Sequence, residues 1–237
     1  IADPVTIDGY TQSGALPNTS PQAFNGIVRV RLAGASAGTG ANGLTLSGGN
    51  STVRGLMITG FTQDGINVAA GADGVTIDRN WIGSAGTGTT GVGNAGVGNA
   101  DDGIDIAAAN ATISNNVITN SGDEGINIVG SGVTAHVIQG NIIGLDPDGA
   151  SGGGNSDVGI AIISGSGNLI GGLTAAARNV ISMNWEGMEV NSAGNTIQGN
   201  FIGSDASGTL NRGNRVGDGI QLQGAAVGTV VGGSAAG

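Results

Sequence analysis

The sequence contains no cysteine and no lysine, a single histidine and only six aromatic residues. Without cysteine, a disulfide framework and a thiolate-ligated metal site are excluded. Without lysine, Schiff-base chemistry and a lysine nucleophile are excluded as well. Seven arginines stand against 17 acidic residues, and the net charge of -10 excludes a basic nucleic-acid-binding surface. No run approaches the ~20 apolar residues of a membrane-spanning helix, and we expect no membrane span.

Glycine is abundant, with 50 residues among 237. Each glycine in a helix interior costs ~1 kcal/mol relative to alanine, so this composition argues against helices. Isoleucine, valine and leucine are also plentiful, and they are spaced regularly rather than scattered. The chain is therefore expected to fold, and to fold as an all-β protein.

A Gly-apolar-x-apolar motif recurs along the chain and defines an internal repeat. Gly43 and Gly103 are 60 residues apart, and so are Gly65 and Gly125. Short and long units therefore alternate. The motif begins at Gly43, Gly65, Gly103, Gly125, Gly159, Gly187 and Gly219.

A second strand signal follows the motif in all seven units and a third in six of them, each short and bounded by glycine, asparagine or serine. The second signal is carried by Val53, Ile77, Ile113, Ile138, Ile170, Ile197 and Val231. The third is carried by Ile58, Ile82, Ile118, Ile143, Ile181 and Ile202. Three short strands per repeating turn predict a parallel β-helix of about seven to eight coils, in which equivalent residues stack at ~4.8 Å.

An asparagine precedes the third-position isoleucine by two residues in five units, and we expect these side chains to form a hydrogen-bonded ladder. The ladder residues are Asn80, Asn116, Asn141, Asn179 and Asn200. The long units carry their extra residues after an Ile-Gly pair, which predicts inserts that leave the rod at one corner. We expect residues 1–42 to form an entry coil with a long loop, and 43–237 to form the β-helix. The last unit breaks off within a coil, so we expect the β-helix to continue beyond 237.

Several segments resemble a known group of proteins. They are residues 178–182 (Arg-Asn-Val-Ile-Ser), 195–205 (Asn-Thr-Ile-Gln-Gly-Asn-Phe-Ile-Gly-Ser-Asp) and 168–172 (Asn-Leu-Ile-Gly-Gly). They are similar to bacterial right-handed parallel β-helix repeat domains of the pectate-lyase-like superfamily, and more narrowly to the Asn-Val-Ile-Ser / Ile-Gly-Thr-Asp repeats of very large secreted or surface proteins. The resemblance implies a right-handed, single-stranded parallel β-helix. It does not imply one activity, because the superfamily holds enzymes, adhesins and structural domains.

The candidate catalytic residues are Asp101, Asp102 and Asp105. The first two resemble the double-aspartate segment of polygalacturonase-like hydrolases, but the Gly-His-Gly and Arg-x-Lys motifs of that family are missing here. Asp105 and Glu189 are the carboxylates predicted on the outer face of the first strand. They lie three coils, or ~14 Å, apart, which is too far for a glycosidase pair.

Asp102 also belongs to a column of acidic residues that directly precede the motif glycine, which favours a repeat feature over a unique site. The column consists of Asp64, Asp102, Glu124, Glu186 and Asp218. Two explanations stay open: the carboxylates accept backbone N–H bonds, or cations lie between coils. Oxygen-only ligands select calcium, and the best local calcium candidate is Asp146 and Asp148 with Asp157 nearby. No other cofactor is expected.

The residue before each third-position isoleucine is predicted to point outward by strand alternation. This gives an apolar stripe of Met57, Trp81, Val117, Ile142, Val180 and Phe201. Either the inserts cover the stripe, or it is an association surface. We expect an extracellular or cell-surface structural domain that serves as stalk, adhesin or filament unit, associating end to end or through the stripe. The alternative is a lyase or hydrolase that binds polysaccharide on the first-strand face.

Overall fold

Short apolar segments separated by glycine and asparagine form three stacks of parallel strands, and each turn of the chain adds one strand to each stack. The computed structural model describes residues 1–21, 23–84 and 98–233. It is a parallel β-helix with three strands per coil, as the repeat predicts. Two single-turn 3-10 helices, Gly9–Thr11 and Ala175–Ala177, are the helical elements of the described residues. None of these elements has the length or apolar character needed to cross a membrane.

The three sheets are named here by the order in which the chain visits them after each motif glycine. The first-strand sheet contains Leu44–Leu46, Ile66–Val68, Ile104–Ile106, Ile126–Ile128, Val158–Ile162, Glu186–Val190 and Ile220–Leu222. The second-strand sheet contains Thr6–Asp8, Thr52–Arg54, Thr76–Asp78, Thr112–Ser114, Val137–Gln139, Leu169–Gly171, Thr196–Gln198 and Val230–Val231. The third-strand sheet contains Val30–Ala33, Leu56–Thr59, Trp81–Ile82, Val117–Ile118, Ile142–Ile143, Val180–Ile181 and Phe201–Ile202.

The register superimposes equivalent residues from coil to coil. In the second-strand sheet, Ile113 pairs with Ile77 on one side and with Ile138 on the other. In the third-strand sheet, Ile118 lies between Ile82 and Ile143 in the same way. These side chains are fully buried and form one core along the interior. The predicted isoleucine columns are confirmed, and each coil buries its apolar side chains on its neighbours.

The predicted asparagine ladder is also confirmed. Each Nδ2 donates to the Oδ1 of the next member, from Asn80 to Asn116 at 3.1 Å and from Asn116 to Asn141 at 3.1 Å. The ladder continues to Asn179 at 3.0 Å and to Asn200 at 2.9 Å. Two shorter ladders at the other corners were not predicted. One runs from Asn155 through Asn184 to Asn214, and the other joins Asn168 to Asn195.

The inserts that follow Ile143 and Ile202 leave the rod at one corner, as predicted. Residues 85–97 of the first insert lie outside the described residues. The other two inserts bond to each other through Ala206 N–H and the Gly149 carbonyl oxygen at 2.8 Å. The N-terminal loop joins them, because Phe24 N–H donates to the Pro147 carbonyl oxygen at 2.7 Å.

These loops cover the apolar stripe. Its members lie outside the main core, but they form a second buried cluster with residues of the loops, among them Phe24, Leu145 and Ala206. Trp81, which is 7 % exposed, meets the Phe24 ring edge-on with centroids 5.2 Å apart. Val117, Ile142 and Val180 are buried as well, while Met57 and Phe201 are partly exposed. Of the two alternatives for the stripe, these contacts favour cover by the loops, while association through the stripe stays a prediction.

Candidate functional site: an acidic corner before the first strand

Six carboxylates from three consecutive coils converge where the chain enters the first strand. This acidic corner consists of Asp64, Asp101, Asp102, Asp105, Asp123 and Glu124. Carboxylate oxygens of Asp64, Asp101 and Asp102 lie within 4.8 Å of one another. Oxygens of Asp102, Asp123 and Glu124 form a second such group. Asp102 belongs to both groups and therefore lies at the centre of the corner.

The backbone and two asparagines hold these carboxylates in place. Glu124 N–H donates to Asp102 Oδ1 at 3.0 Å, and Asn127 Nδ2 donates to Asp102 Oδ2 at 3.1 Å. Asn67 Nδ2 donates to Asp105 Oδ2 at 2.9 Å and to Asp64 Oδ2 at 3.2 Å. The first explanation of the acidic column, acceptance of backbone N–H bonds, is thus confirmed for Asp102.

Burial makes these groups hold protons at unusually high pH. It raises the pKa of Asp102 to about 8, and the neighbouring Glu124 carboxylate reinforces the effect. It raises the pKa of Asp105 to about 6, with added repulsion from Asp64 and Asp102. Burial also raises the pKa of Asp64 and of Glu124. Within the described part of the chain, Asp105 Oδ1 is buried without a hydrogen-bond partner. The corner therefore favours any bound positive charge, whether a proton or a cation.

The geometry separates Asp102 from ordinary glycosidase chemistry. One of its carboxyl oxygens lies within 4.8 Å of a Glu124 carboxyl oxygen, and Asp102 is only 5 % exposed. Glycosidases hold their two carboxyl groups about 5–5.5 or 6.5–9.5 Å apart, with the scissile bond between them. The buried Asp102 carboxyl is closer to Glu124 than either separation, so a scissile bond does not fit between the two groups. Asp101 and Asp105 are more exposed to solvent than Asp102. A carboxylate oxygen of Asp101 lies within 4.8 Å of one of Asp102, and Asp105 Oδ2 accepts a hydrogen bond from Asn67 Nδ2.

Asp146, Asp148 and Asp157 do not form a common metal site among the described residues. Both carboxylate oxygens of Asp148 already accept local bonds, from the N–H groups of Ala150 and Ser151 and from Ser151 Oγ. Burial opposes this effect, but these bonds lower the pKa of Asp148. Asp157 belongs to another part of the rod, since its N–H donates to the Asp123 carbonyl oxygen at 3.2 Å. Calcium binding at these three residues stays a prediction, although Asp148 already accepts bonds within its own turn.

The acidic corner was visible in the sequence only in part. The column before the motif glycine identified Asp64, Asp102 and Glu124. Asp123 was missed, although it precedes Glu124 as Asp101 precedes Asp102. Comparing residues two positions before each glycine would have found it, together with the exposed Trp185 two coils further along.

The corner offers two groups of three carboxylates that could hold a metal ion. Its oxygen-only chemistry suits a hard cation such as calcium. Comparison of the chain with family models, with curated proteins and with solved structures finds no match.

Proposed function

We propose that this chain is a structural repeat domain of a secreted or cell-surface bacterial protein, acting as a stalk, adhesin or filament unit. The observation that carries the proposal is the unbroken register of the three sheets. Every strand pairs with its equivalents in adjacent coils, from Thr6–Asp8 to Val230–Val231. A stack of eight strands spaced ~4.8 Å apart makes a rod of about 35 Å, stiffened along its length by the ladders.

The resemblance to repeats of very large surface proteins supports the same role. The inserts support this role as well, because two of them pack over the third-strand sheet instead of lining a cleft. Fixed side chains and a continuous core suit a spacer that presents its faces at constant orientation.

The experiment is immunogold labelling of intact cells of the source organism with antibodies against the purified chain. We expect label on the cell surface or on shed material. Label that requires permeabilised cells would overturn the proposal. A strain with the coding segment deleted controls for the specificity of the antibody.

A second candidate is an enzyme that acts on polysaccharide along the first-strand face. The observation in its favour is that Asp102 keeps a proton near neutral pH beside the more open Asp101. Incubation with a panel of polysaccharides, followed by assays of reducing ends and unsaturated products, tests this candidate. Activity that disappears in both Asp101→Asn and Asp105→Asn would establish it and displace the structural proposal.

A further inference from the structure

Two polar atoms deep in the rod, Asn99 Nδ2 and Ser121 Oγ, have no hydrogen-bond partner among the described residues. Both side chains are closed to bulk solvent, since Asn99 is 2 % exposed and Ser121 is 1 % exposed. Buried polar groups without a partner are rare in folded proteins, because each loses its hydration without compensation. Two such atoms in one region of the rod therefore indicate a partner that they share.

The two residues are neighbouring rungs of the ladder that contains Asn155. Ser121 N–H donates to Asn155 Oδ1 at 3.0 Å, so Ser121 lies one coil before Asn155. Asn99 lies one coil earlier again, because its carbonyl oxygen accepts a bond of 2.9 Å from the N–H of Gly122. The two unpartnered atoms also lie against the motif glycines of successive coils. Asn99 and Ser121 therefore belong to the same column as the asparagines that follow them.

A complete rung of this ladder shows what Ser121 lacks. Asn184 Oδ1 accepts two bonds from the preceding rung, one from the N–H of Asn155 at 3.1 Å and one from its Nδ2 at 2.8 Å. A carboxamide at position 121 would accept the same two bonds from Asn99, but serine has no oxygen in that place. Serine is smaller than asparagine by roughly the volume of one water molecule. A water molecule therefore has the right size to replace the missing carboxamide oxygen.

The donor on Asn99 disfavours a metal cation as the shared partner. Asn99 Oδ1 accepts a bond of 3.3 Å from the N–H of Phe61, so Nδ2 is the end of the amide that lacks a partner. The protons of Nδ2 carry partial positive charge, and a ligand beside them must accept a hydrogen bond. The Ser121 hydroxyl can both donate and accept, so it suits the same ligand.

Nearby carboxylates disfavour an anion as well. Asp101 and Asp123 each lie two residues after one of these rungs, and both belong to the acidic corner. Arg215 also approaches this ladder, but its exposed side chain reaches Gly154, one coil beyond Ser121. The ligand that fits is small, neutral and able to donate as well as accept, which describes water.

We propose that a structural water molecule binds between Asn99 and Ser121 and completes this ladder. Its oxygen accepts a hydrogen bond from Asn99 Nδ2, and the same water bonds to Ser121 Oγ. By analogy with the complete rung, the backbone N–H of Asn99 supplies a third bond, which is the usual number for a buried water. The ladder then runs without a break from Asn99 to Asn214. The inference goes beyond the proposed function, since it concerns how the coils are joined and does not depend on where the rod is located.

Thermal unfolding of Ser121→Ala tests the inference by the sign of its effect. If water bonds to the hydroxyl, removing the hydroxyl breaks a hydrogen bond and should lower Tm by about 2–6 °C. If the hydroxyl is buried without a partner, its removal eliminates an unsatisfied group and should raise Tm.

Two other serines supply the controls for this measurement. Ser182 is likewise buried, and its Oγ donates directly to the Ser204 carbonyl oxygen at 2.7 Å, so Ser182→Ala should lower Tm. Ser13 is exposed, and Ser13→Ala should leave Tm unchanged.

A high-resolution crystal structure of the whole chain tests the same site directly. We expect one water peak within about 2.5–3.2 Å of both Asn99 Nδ2 and Ser121 Oγ. In Ser121→Asn the added carboxamide should take the place of this water, with its Oδ1 accepting from Asn99 Nδ2. No peak in the parent chain, a peak that persists unchanged in Ser121→Asn, or a higher Tm for Ser121→Ala would overturn the inference.

Discussion

The Nδ1 atom of His136 accepts a hydrogen bond of 3.1 Å from the backbone N–H of Ala111, in the place that a carboxamide oxygen fills elsewhere in the same ladder. The backbone N–H of His136 in turn donates to Asn168 Oδ1 at 3.0 Å. Because Nδ1 is an acceptor, the ring proton lies on Nε2, which is buried without a partner among the described residues. The only histidine of the chain thus stands in for an asparagine and must stay neutral.

Replacement of His136 by asparagine is therefore expected to make the protein more resistant to acid. Burial lowers the pKa of His136 to about 4, while Asp73 opposes this effect. In the unfolded chain His136 binds a proton below about pH 6.5, whereas in the folded chain it does so only below about pH 4. The free energy of unfolding therefore decreases as the pH falls from about 6.5 to about 4. Chemical unfolding at pH 7 and pH 4 should show His136→Asn gaining about 2–3 kcal/mol relative to the parent at the lower pH.

His136→Ala is the matched control for that experiment. It removes the titrating group but also leaves Ala111 N–H without an acceptor, which costs about 1–3 kcal/mol at every pH. An acid sensitivity that persists unchanged in His136→Asn would show that the imidazole does not cause it.

The acidic corner is expected to give the opposite pH dependence. Raised carboxyl pKa values mean that the folded chain binds more protons than the unfolded chain between about pH 4 and pH 8, so stability falls as pH rises through that window. Asp102→Asn should flatten the fall and stabilise the protein at pH 8.5 by roughly 1–3 kcal/mol. Denaturant titrations of parent and variant across this range measure the difference.

Calcium distinguishes the two explanations of the acidic column in the same assay. If the corner binds only protons, added calcium leaves the denaturant concentration at the midpoint of unfolding unchanged at pH 8.5. A cation between the coils would raise the midpoint in the parent chain and not in Asp102→Asn, since a ligand bound to the folded state stabilises it. Asp148→Asn, whose carboxylate is already satisfied within its own turn, should respond to calcium like the parent.

The sequence predicted whatever depends on one coil stacking on the next. Asn116 lies two residues before Ile118, and the same offset recurs in other coils, so the column and the ladder were visible as a repeated motif. The ladder through Asn155 and Asn184 was missed because these residues precede their motif glycines by four and three positions, respectively. The corners of a β-helix absorb such length differences without changing the register of the strands.

The sequence predicted which side chains point out of the main core, but it did not predict which of them are buried by loops. Alternation placed Trp81 outside the main core, which is correct, but no periodicity tells whether Phe24 and Leu145 return from distant loops to bury it. The same limit applies to the acidic corner. The sequence showed a column of charges, while the burial that raises the pKa of Asp102 depends on neighbours in adjacent coils.

Trp81→Ser is expected to destabilise the fold and leave association unchanged. The side chain is buried against Phe24, so its removal leaves a cavity that costs about 3–5 kcal/mol. The matched control is Trp185→Ala, where an equally large but exposed side chain should change the free energy of unfolding by less than ~0.5 kcal/mol. Denaturant unfolding measures the free energy of unfolding of each variant, and light scattering measures its self-association. Reduced self-association in a stably folded Trp81→Ser variant would identify the stripe as an interface.

The asparagine ladder from Asn80 to Asn200 allows a quantitative prediction for its central member, Asn141. Asn141 Nδ2 donates to the Ile113 carbonyl oxygen and to Asn179 Oδ1, while its Oδ1 accepts from the N–H and the Nδ2 of Asn116. Asn141→Ala leaves these partners unsatisfied in a site closed to water, and we expect a loss of about 3–5 kcal/mol.

Asn200→Ala tests whether position in the ladder, and not asparagine itself, sets that cost. Asn200 is the last member, it is only partly buried, and water can replace some of its bonds. The loss should therefore be about half of that in Asn141→Ala or less. Equal losses in the two variants would mean that the amides stabilise each turn independently. A larger loss at Asn141 is expected because each interior amide supports the coils on both sides, which is the cooperativity a solenoid needs to hold its register.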